Sequence, residues 1–486
     1  MAAPLGIDLS TDLGRGKAAL GIDLGTGSTK AALAGDDGRV HTGHAAAHPA
    51  AAEVDTGAWW QSVVRAVRGV LRESGCREVV AIGLTGQMHG VVLVDHRLRP
   101  LAPAITWAST RSPEAVAELA ELAEPHAAAL ANPVVAGMPA VTLHWLRRHR
   151  PRLLDAAHLA LQPKDWLGAR LTGAAVSDPT DASATLLWDF GTARWLTAFA
   201  DALGLPAALL PAVVPSDAVR GRLSADAAEE LGLPPGLPVT VGRGDVAAAL
   251  IGSGAAGVPD GAQLTVGTGA QLCRVLPAAR PDPTRRTHLY CGPGPRQWYA
   301  MAATLSAGLA LEWVRAAFGV SWPALYDEAF SSPVGARGVV FLPYVAGERT
   351  PYLDARLSAS WSGLRQEHGR PDLLRAALEG AAFAVRDAWD ALSAAGHAAS
   401  TLVLAGGGTL DPRWRQLLAD VLRRPLARTP YGAGSARGAA LSAAVVAGWF
   451  DDLPTAIATA GSPAVVTSPG AYDYTEPLAR FHAVPR

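Results

Sequence analysis

Apolar residues near the start of the chain occur in short runs, and glycine-rich turns separate these runs. The stretch 18–33 reads Ala-Ala-Leu-Gly-Ile-Asp-Leu-Gly-Thr-Gly-Ser-Thr-Lys-Ala-Ala-Leu, so two apolar runs flank a turn at 25–27. This pattern predicts a β-hairpin. A second turn signal, Asp-Asp-Gly at 36–38, predicts a third strand near 39–43.

The same pattern returns in the second half of the chain. Residues 263–272 read Gln-Leu-Thr-Val-Gly-Thr-Gly-Ala-Gln-Leu, which is again an apolar run, a Gly-Thr-Gly turn and an apolar run. A third glycine turn, at 406–408, follows the apolar run 402–405. This repetition predicts two related halves that hold one polyphosphate between them.

Between these turns, helical and strand patterns alternate. Helical spacing of apolar residues predicts helices at 59–74, 111–131, 141–149, 299–318, 371–392 and 414–422. Short apolar runs predict strands at 78–84, 91–94, 239–241 and 339–344. A strand-rich start followed by alternating strands and helices predicts an α/β fold with mixed sheets.

The first glycine turn has the features of a phosphate-binding loop. Glycines let the backbone approach a ligand closely, and the N–H groups of such a turn form a concave anion site. Thr26, Ser28 and Thr29 add hydroxyl donors, and Asp23 stands where a metal-bound phosphate needs a carboxylate. An ordinary hairpin with a glycine turn is the alternative, and this stretch alone favours neither interpretation.

Composition argues against several classes of function. The 486 residues carry a formal net charge of -1, so no basic surface indicates nucleic acid or an anionic membrane as a partner. No apolar run is long enough to cross a bilayer, and the first residues lack the pattern of a signal peptide. Cys76, Cys273 and Cys291 show no metal-ligand spacing. They predict free thiols in a reducing cytoplasm.

Six segments, taken in order, resemble the FGGY carbohydrate kinases, and most closely their xylulokinase branch. The resemblance extends from about residue 18 to residue 448. The segments are Gly-Ile-Asp-Leu-Gly-Thr-Gly-Ser-Thr-Lys at 21–30, Gly-Gln-Met-His-Gly at 86–90, Pro-Lys-Asp-Trp-Leu at 163–167, Gly-Arg-Gly-Asp at 242–245, Phe-Leu-Pro-Tyr-Val-Ala-Gly-Glu-Arg-Thr-Pro at 341–351 and Ala-Gly-Gly-Gly at 405–408. It is their order and spacing together that carry the resemblance.

The resemblance implies an actin-like ATPase fold, in which two α/β domains of the ribonuclease-H type flank a central cleft. We expect an N-terminal domain at 18–246, with the sugar site and the first phosphate hairpin. A C-terminal domain at 247–486 would carry the second phosphate hairpin and the adenosine site. The oligomeric state is open, with a homodimer among the alternatives.

Asp245 is the candidate catalytic base. It follows a short strand and a glycine-rich turn, and it precedes a helix predicted at 246–251. The dipole of that helix favours the ionised carboxylate, which would accept the proton of a sugar hydroxyl during phosphoryl transfer. A helix-capping aspartate is the alternative, and the residues alone favour it. The resemblance favours the base, because the family's catalytic aspartate lies in a Gly-Gly-Gly-Asp-Asn segment.

The resemblance also implies ATP and Mg²⁺, with Asp23 and Asp245 near the metal, through water or phosphate. Lys30 has a solvated strand-end lysine as its alternative, and the turn at 406–408 has a simple helix entry. The expected nucleotide-binding residues are Asp23, Gly25, Thr26, Gly27, Ser28, Lys30, Gly267, Thr268, Gly269, Gly406, Gly407 and Gly408.

Gln87, Met88, His89 and Trp107 are expected to line the sugar site together with Asp245. His89 lies in a glycine-flanked loop after a buried strand, where functional residues concentrate. The alternatives are a structural histidine and a core tryptophan.

The chain departs from the family pattern in two places. Xylulokinases usually read Trp-Asn-Asp-x-Arg where this chain reads Trp-Ala-Ser-Thr-Arg at 107–111. Val246 stands where they carry asparagine after the catalytic aspartate. Both departures remove polar sugar contacts, and a site without such donors discriminates less between sugars.

The function that the resemblance implies is ATP-dependent phosphorylation of D-xylulose to D-xylulose 5-phosphate in the cytoplasm. An FGGY kinase for another ketose, a polyol or gluconate is one alternative. A catalytically silent sugar-binding regulatory protein of the same fold is another. The presence of both Asp23 and Asp245 argues against the silent protein.

Overall fold

The computed structural model describes residues 16–76, 78–109, 113–429 and 434–486. The strands of the first half are β1 (Lys17–Leu24), β2 (Ser28–Ala34), β3 (Val40–Ala47), β4 (Glu53–Val54), β5 (Glu78–Gly86), β6 (Val92–Val94), β7 (Ala104–Ile105), β8 (Leu159–Leu161), β9 (Val176–Ser177), β10 (Trp188–Asp189), β11 (Arg194–Trp195), β12 (Ala212–Val213), β13 (Val219–Arg222), β14 (Pro238–Thr240) and β15 (Arg243–Gly244). Its helices are α1 (Thr56–Ser74), α2 (Pro113–Ala123), α3 (Ala127–Leu130), α4 (Pro139–His149), α5 (Pro151–Asp155), α6 (Pro163–Thr172), α7 (Pro179–Ser183), α8 (Thr197–Ala202), α9 (Ala225–Leu231) and α10 (Asp245–Gly252).

The second half repeats the alternation of strands and helices. Its strands are β16 (Gly261–Val266), β17 (Ala270–Leu276), β18 (His288–Cys291), β19 (Trp298–Thr304), β20 (Val340–Leu342), β21 (Ser360–Ser362), β22 (Thr401–Ala405), β23 (Leu426–Arg428) and β24 (Ala464–Thr467). Its helices are α11 (Gly308–Ala317), α12 (Trp322–Ala329), α13 (Arg370–Leu392), α14 (Pro412–Leu422), α15 (Ser435–Val446), α16 (Leu453–Thr459) and α17 (Thr475–Ala483).

Each half is built on a seven-stranded mixed sheet. The first sheet has the order β13-β14-β5-β1-β2-β3, with β15 also paired to β5, and the second has the order β18-β19-β17-β16-β22-β23-β24. In both sheets an antiparallel hairpin, β1–β2 or β16–β17, continues into parallel strands, β5 or β22. The shared strand order confirms the predicted α/β fold with two related halves.

The two faces of the first sheet differ in the size of their side chains. Leu20 and Ile22 of β1 pack with Trp59 and Val63 of α1 in one apolar cluster. The opposite face carries small residues, and there Ala19 packs with alanines of α15. Because successive strand residues point to opposite faces, β1 accepts a bulky helix on one face and a close helix on the other.

The second sheet is also covered on both faces. Leu264 of β16 and Leu272 of β17 lie in a cluster with residues of α13. On the opposite face, Cys273 and Tyr299 pack with Leu250 of α10. Helices α10 and α15 therefore lie between the two sheets, each against a different one.

Glycines let α10 and α15 touch backbone to backbone. A Cβ atom added to Gly438 would lie 2.0 Å from the carbonyl oxygen of Ala248, and one added to Gly252 would lie 2.2 Å from that of Gly434. Real Cβ atoms do not approach so closely, so glycine is required at both positions. The helix pair forms a tight seam between the halves.

Most of the predicted elements are confirmed, but the predicted helix at 299–318 is wrong. Residues Trp298–Thr304 form strand β19, and the helix begins only at Gly308. Both faces of β19 are covered, by α10 and by α13, so the strand lacks the alternation of polar and apolar residues that marks a half-buried strand. The predicted helix at 111–131 is divided into α2, a short 3₁₀ turn and α3 within its described part.

The predicted domain boundary between 246 and 247 falls inside α10 and stays a prediction. Cys76, Cys273 and Cys291 are free thiols. In the part of the chain that the structure describes, every helix is too short or too polar to cross a bilayer.

We predict that Gly83→Ala loosens the contact between α15 and the first sheet. The added Cβ would lie 1.9 Å from the carbonyl oxygen of Ala439, so the helix must move. Overpacking of this kind costs about 1–3 kcal/mol, and it should lower the melting temperature in differential scanning calorimetry. Gly434→Ala is the control, because its Cβ would meet no atom within 4 Å. Equal melting temperatures for the two variants would contradict the close contact.

Candidate active site

The first glycine turn joins β1 to β2 and is tied to the loop after β5. The Gly25 N–H donates to the Ser28 carbonyl at 3.1 Å, which closes the turn. The Gln87 side-chain amide donates to the Gly25 carbonyl at 3.2 Å, and the Gln87 N–H donates to the Leu24 carbonyl at 2.8 Å. The predicted phosphate turn and the predicted sugar loop are therefore neighbours.

His89 has a left-handed backbone, with φ of 68°, and its contacts hold that conformation. Its N–H donates to Gln162 Oε1 at 2.7 Å, and its ring Nδ1 lies 2.8 Å from the Ala184 carbonyl oxygen. These bonds orient the ring into a central pocket, which Gln87, Met88, His89, Trp107 and Asp245 line together. The structure thus brings all five residues of the predicted sugar site into one pocket.

Trp107 links this central pocket to the phosphate turn. Its indole Nε1–H donates to Thr26 Oγ1 at 3.0 Å, while the residue lines the pocket. The alternative interpretation, a tryptophan of the apolar core, does not fit a side chain that bonds the turn.

Asp245 is the first residue of α10, and Gly244 holds the N-cap position. The alternative interpretation of Asp245 as the N-cap is therefore wrong, although its Oδ1 accepts a hydrogen bond from the Val246 N–H at 2.9 Å. The Gly244 N–H donates to Thr180 Oγ1 at 2.8 Å. This bond fixes the backbone immediately before the carboxylate.

Arg243 anchors the same segment to both halves of the molecule. Its buried guanidinium donates to the Pro293 carbonyl at 2.7 Å and to Ser442 Oγ at 2.9 Å, and it forms an ion pair with Asp217. The strand that leads into Asp245 therefore cannot shift without breaking the contacts of Arg243 with both halves of the chain.

The pKa of Asp245 is raised to about 7 by burial and, secondarily, by the negative charge of Asp23. The sequence-based expectation that the helix dipole favours the ionised form is wrong in its net result, because burial outweighs the dipole. Burial also raises the pKa of Asp23, against the nearby Lys30, whose Nζ lies 3.8 Å from Asp23 Oδ2. The site thus contains two coupled carboxylates.

The opposite wall of the central pocket comes from the second half of the chain, and sequence reasoning missed it. Gln271, His288, Tyr290, Met301 and Arg349 line that wall. The first four lie on strands of the second sheet, and no local pattern marks them. Arg349 lies in the family-like segment 341–351, which was the one signal available.

The two histidines of the pocket are neutral at physiological pH. Burial, together with the charge of Arg349, lowers the pKa of His89 to about 4 and that of His288 to about 3. Neutral imidazoles bind hydroxyl groups as donors or acceptors but do not neutralise an anion.

A second pocket lies over the second glycine turn. Gly267, Thr268, Gly407 and Gly408 line it together with aromatic residues such as Tyr326. These four predicted nucleotide-binding residues are thus brought together.

Gly269 and Gly406 shape the backbone next to this second pocket. A Cβ on Gly269 would lie 2.1 Å from the Thr304 carbonyl oxygen. Gly406 has φ of +77°, which other residues rarely adopt. Gly25, Thr26, Gly27, Ser28 and Lys30 line neither of the two pockets.

The segment Pro-Lys-Asp-Trp contributes two residues to a buried cluster of charged side chains. Lys164 Nζ lies 2.5 Å from Asp165, 3.2 Å from Asp178 and 3.3 Å from Asp181. Although burial alone would lower the pKa of Lys164, the three carboxylates raise it. A Cβ on Gly244 would lie 3.1 Å from Asp181 Oδ1. The cluster therefore packs against the segment that leads into Asp245.

The departures from the family pattern fall at different places. Val246 lines the central pocket, so an apolar side chain faces the ligand there. Ser109 is buried and does not line the pocket, and neither does Ala108. Thr110 and Arg111 lie outside the described residues.

Asp23 and Asp245 offer carboxylate oxygens of the kind that Mg²⁺ takes as ligands. Asp23 Oδ1 is buried without a hydrogen-bond partner among the described residues, which leaves one oxygen free for a cation. Within those residues no group of three or more potential metal ligands is found. Two carboxylates suit Mg²⁺, which commonly takes one or two together with phosphate and water.

Comparison with known families gives a match over most of the chain. The N-terminal domain of the FGGY family of carbohydrate kinases matches residues 18–252, and the C-terminal domain matches residues 262–447. A curated relative, the xylulose kinase of Escherichia coli strain K12, is 33% identical over 436 residues, which cover 88% of this chain and 90% of the relative. The xylulose kinase of Bacillus subtilis strain 168 is 29% identical over 449 residues, which cover 90% of each chain.

Two solved structures are also similar to this chain over most of its length. A xyloylose kinase from Brucella ovis is similar with a TM-score of 0.84 and 33% identity, over 96% of this chain and 98% of that one. The xylulose kinase of Rhodospirillum rubrum is similar with a TM-score of 0.84 and 29% identity, over 96% of this chain and 98% of that one.

We predict that Asp23→Asn lowers the pKa of Asp245 from about 7, because a like charge is removed. The pKa should stay above the ordinary value of 3.8, since burial is the larger cause. Carboxyl NMR of the ligand-free protein, labelled at aspartate, measures the shift. Lys30→Met is the matched control and should move the pKa upward, because Lys30 lowers it. An unchanged pKa in Asp23→Asn would show that the two carboxylates are not coupled.

Proposed function

The chain belongs to the FGGY family of carbohydrate kinases, and we propose that it transfers the γ-phosphoryl group of ATP to D-xylulose, giving D-xylulose 5-phosphate. The observation that carries this proposal is Asp245. It lies in the central pocket beside Gln87, Met88 and His89, and its charge is coupled to Asp23 at the end of β1. The names of the relatives reported above supply the sugar.

The proposed transfer has one proton and one phosphoryl group to move. The oxygen of the terminal sugar hydroxyl forms a bond to the γ-phosphorus, and the bond from that phosphorus to the bridging oxygen of ADP breaks. ADP leaves with the electron pair, and the hydroxyl proton passes to the Asp245 carboxylate. A pKa of about 7 suits this role, because a base works best when its pKa lies near the working pH.

We assign the nucleotide to the two glycine turns and the second pocket. Gly267 and Thr268, with Gly407 and Gly408, would hold the adenosine and part of the triphosphate. The turn at 25–28, next to Asp23, would hold the phosphate to be transferred, with Lys30 at its edge. Asp23, with Asp245 nearby, would hold Mg²⁺ through water or phosphate, and the ion would supply charge neutralisation on the phosphates.

The proposed domains each contribute one side of the central pocket. We propose an N-terminal domain at 18–246 and a C-terminal domain at 247–486, with the central pocket walled by both. Residues from the first half hold the base, and residues from the second half close the opposite wall. Sugar and nucleotide would thus meet at the seam between the halves.

A kinase for another ketose or polyol is the second candidate, and Val246 is the observation that favours it. A valine in the sugar pocket cannot donate or accept a hydrogen bond, so one possible means of discrimination between hydroxyl patterns is missing. Gluconate belongs to the same group of alternatives. A silent regulatory protein is less well supported, because both carboxylates of the transfer site lie in place.

We predict that Asp245→Asn lowers turnover by about 10²–10⁴-fold, the usual cost of losing a general base. Coupled measurement of ADP release gives the rate, and titration with ADP should show an unchanged affinity for the nucleotide. Asp201→Asn, which removes an exposed carboxylate of α8, is the matched control and should keep full activity. If Asp245→Asn retains the wild-type rate, Asp245 is not the base.

The second prediction concerns the substrate. The wild type should phosphorylate D-xylulose at its terminal hydroxyl. It should also accept related ketoses more readily than Val246→Asn does, because that variant places a polar side chain in the pocket. The ratio of kcat/KM values for D-xylulose and D-ribulose in the two proteins measures the effect. No activity of the wild type on any ketopentose would overturn the xylulose assignment.

A further inference from the structure

Arg349 presents a guanidinium to the central pocket. It follows Glu348 in the loop after β20, it lines the pocket, and its guanidinium carbon lies 5.6 Å from the centre of the Trp107 ring. Within the described part of the chain, the guanidinium has no hydrogen-bond or ion-pair partner. Trp107 belongs to the first half of the chain, so the two residues meet in the central pocket from opposite halves.

The backbone around Arg349 is held on both sides. The Glu348 carboxylate accepts hydrogen bonds from the Leu305 N–H at 2.5 Å and from the Arg349 N–H at 2.8 Å. The Thr350 N–H donates to the Ala303 carbonyl at 3.0 Å, and Thr350 Oγ1 donates to the Arg286 carbonyl at 2.9 Å. Arg349 therefore points into the pocket from a fixed position, unlike a mobile surface arginine.

Arg349 is half-buried, and apart from the Trp107 ring its guanidinium meets no acceptor among the described residues, which is costly because a cation that loses part of its hydration needs a hydrogen bond in return. Burial lowers the pKa of Arg349, as expected for such a group, against the opposite influence of Tyr290 and Glu348. An acceptor oxygen of a ligand would remove this cost. The position thus favours a ligand that brings an oxygen acceptor to this wall.

The other polar groups on this wall are neutral. His288 is buried, and its ring Nδ1 has no hydrogen-bond partner among the described residues. The amide of Gln271 lines the same pocket. Of the side chains that line the pocket, Arg349 is the permanent cation, and it is a donor only.

The chemistry of the proposed substrate supplies the acceptor. A 2-ketopentose closes its five-membered ring through the oxygen of its terminal carbon, which is the oxygen to be phosphorylated. The reactive form is therefore the open chain, and in that form the C2 carbonyl is free. A carbonyl oxygen accepts hydrogen bonds and donates none, which matches a guanidinium.

We propose that Arg349 donates to the C2 carbonyl oxygen of the open-chain ketose and so makes the site select 2-ketoses over the corresponding alditols. This inference rests on the proposed kinase function and names the group that reads the substrate at the wall opposite the loop of Met88 and His89. The residue that binds the carbonyl then belongs to the second half of the chain, whereas the proposed base, Asp245, is the first residue of α10.

The test compares D-xylulose with xylitol, which has a hydroxyl in place of the carbonyl. Affinities of both ligands are measured by calorimetry for the wild type and for Arg349→Met, which keeps an unbranched apolar stem and removes the guanidinium donors. The wild type should prefer D-xylulose, and Arg349→Met should lower its affinity for D-xylulose by about 10- to 100-fold, the usual value of a hydrogen bond to a charged group, and lower its affinity for xylitol by less. Arg349→Lys, which keeps the charge, should retain part of the preference for D-xylulose.

Controls separate this role from packing. Arg424 stacks on Trp389 at 5.7 Å outside the central pocket, so Arg424→Met loses a similar contact and should leave both affinities unchanged. An unchanged affinity for ADP would show that Arg349→Met is folded. Equal losses for D-xylulose and xylitol, or no loss at all, would overturn the inference.

Three further outcomes can be distinguished. If the wild type binds gluconate more tightly than D-xylulose, and Arg349→Met abolishes that binding, the guanidinium reads a carboxylate and the carbonyl assignment is wrong. If the wild type phosphorylates no ketose, the proposed function itself fails, whatever the variants do. If it phosphorylates D-xylulose but Arg349→Met keeps the ketose preference, only the role of Arg349 fails.

Discussion

The contact between α10 and α15 is the constraint on which the active site depends. Gly252 and Gly438 bring the two helix backbones together, and each helix packs on a different sheet. Asp245 begins α10, so its position is defined relative to both halves at once. If these helices packed more loosely, the distance from Asp245 to the pocket wall of the second half would not be fixed.

The electrostatics around Asp245 suit the proton transfer that we propose. Burial removes the water that would otherwise stabilise the charges of Asp245 and Asp23, and the charge of Asp23 further raises the pKa of Asp245. The result is a carboxylate with a pKa of about 7, which can take up a proton during the reaction and release it afterwards. Around it, the histidines are neutral, so they can bond hydroxyl groups as donors or acceptors, whereas Arg349 is a cation and donates only.

Local patterns predicted the parts of the site that lie in continuous segments. The turn at 25–27, the loop at 87–89 and Asp245 each follow a recognisable apolar strand. Sequence reasoning failed where tertiary packing decides. The two buried faces of β19 hide its periodicity, and His288 reaches the pocket because its strand β18 lies against α7 of the first half, where the Cys291 N–H donates to Ser183 Oγ. The raised pKa of Asp245 could not be predicted from the sequence either, because the burial that causes it is a property of the whole fold.

Helix α15 has a consequence for the order in which the protein folds during synthesis. Residues 435–446 cover the small-residue face of a sheet whose central strands, β1 and β5, end by residue 86. The ribosome therefore releases that face long before its covering helix exists. The N-terminal half cannot finish folding as a unit by itself, and a nascent chain that stalls before α15 exposes a bare sheet face to other proteins. Synthesis of nearly the whole chain is the step that completes the first half.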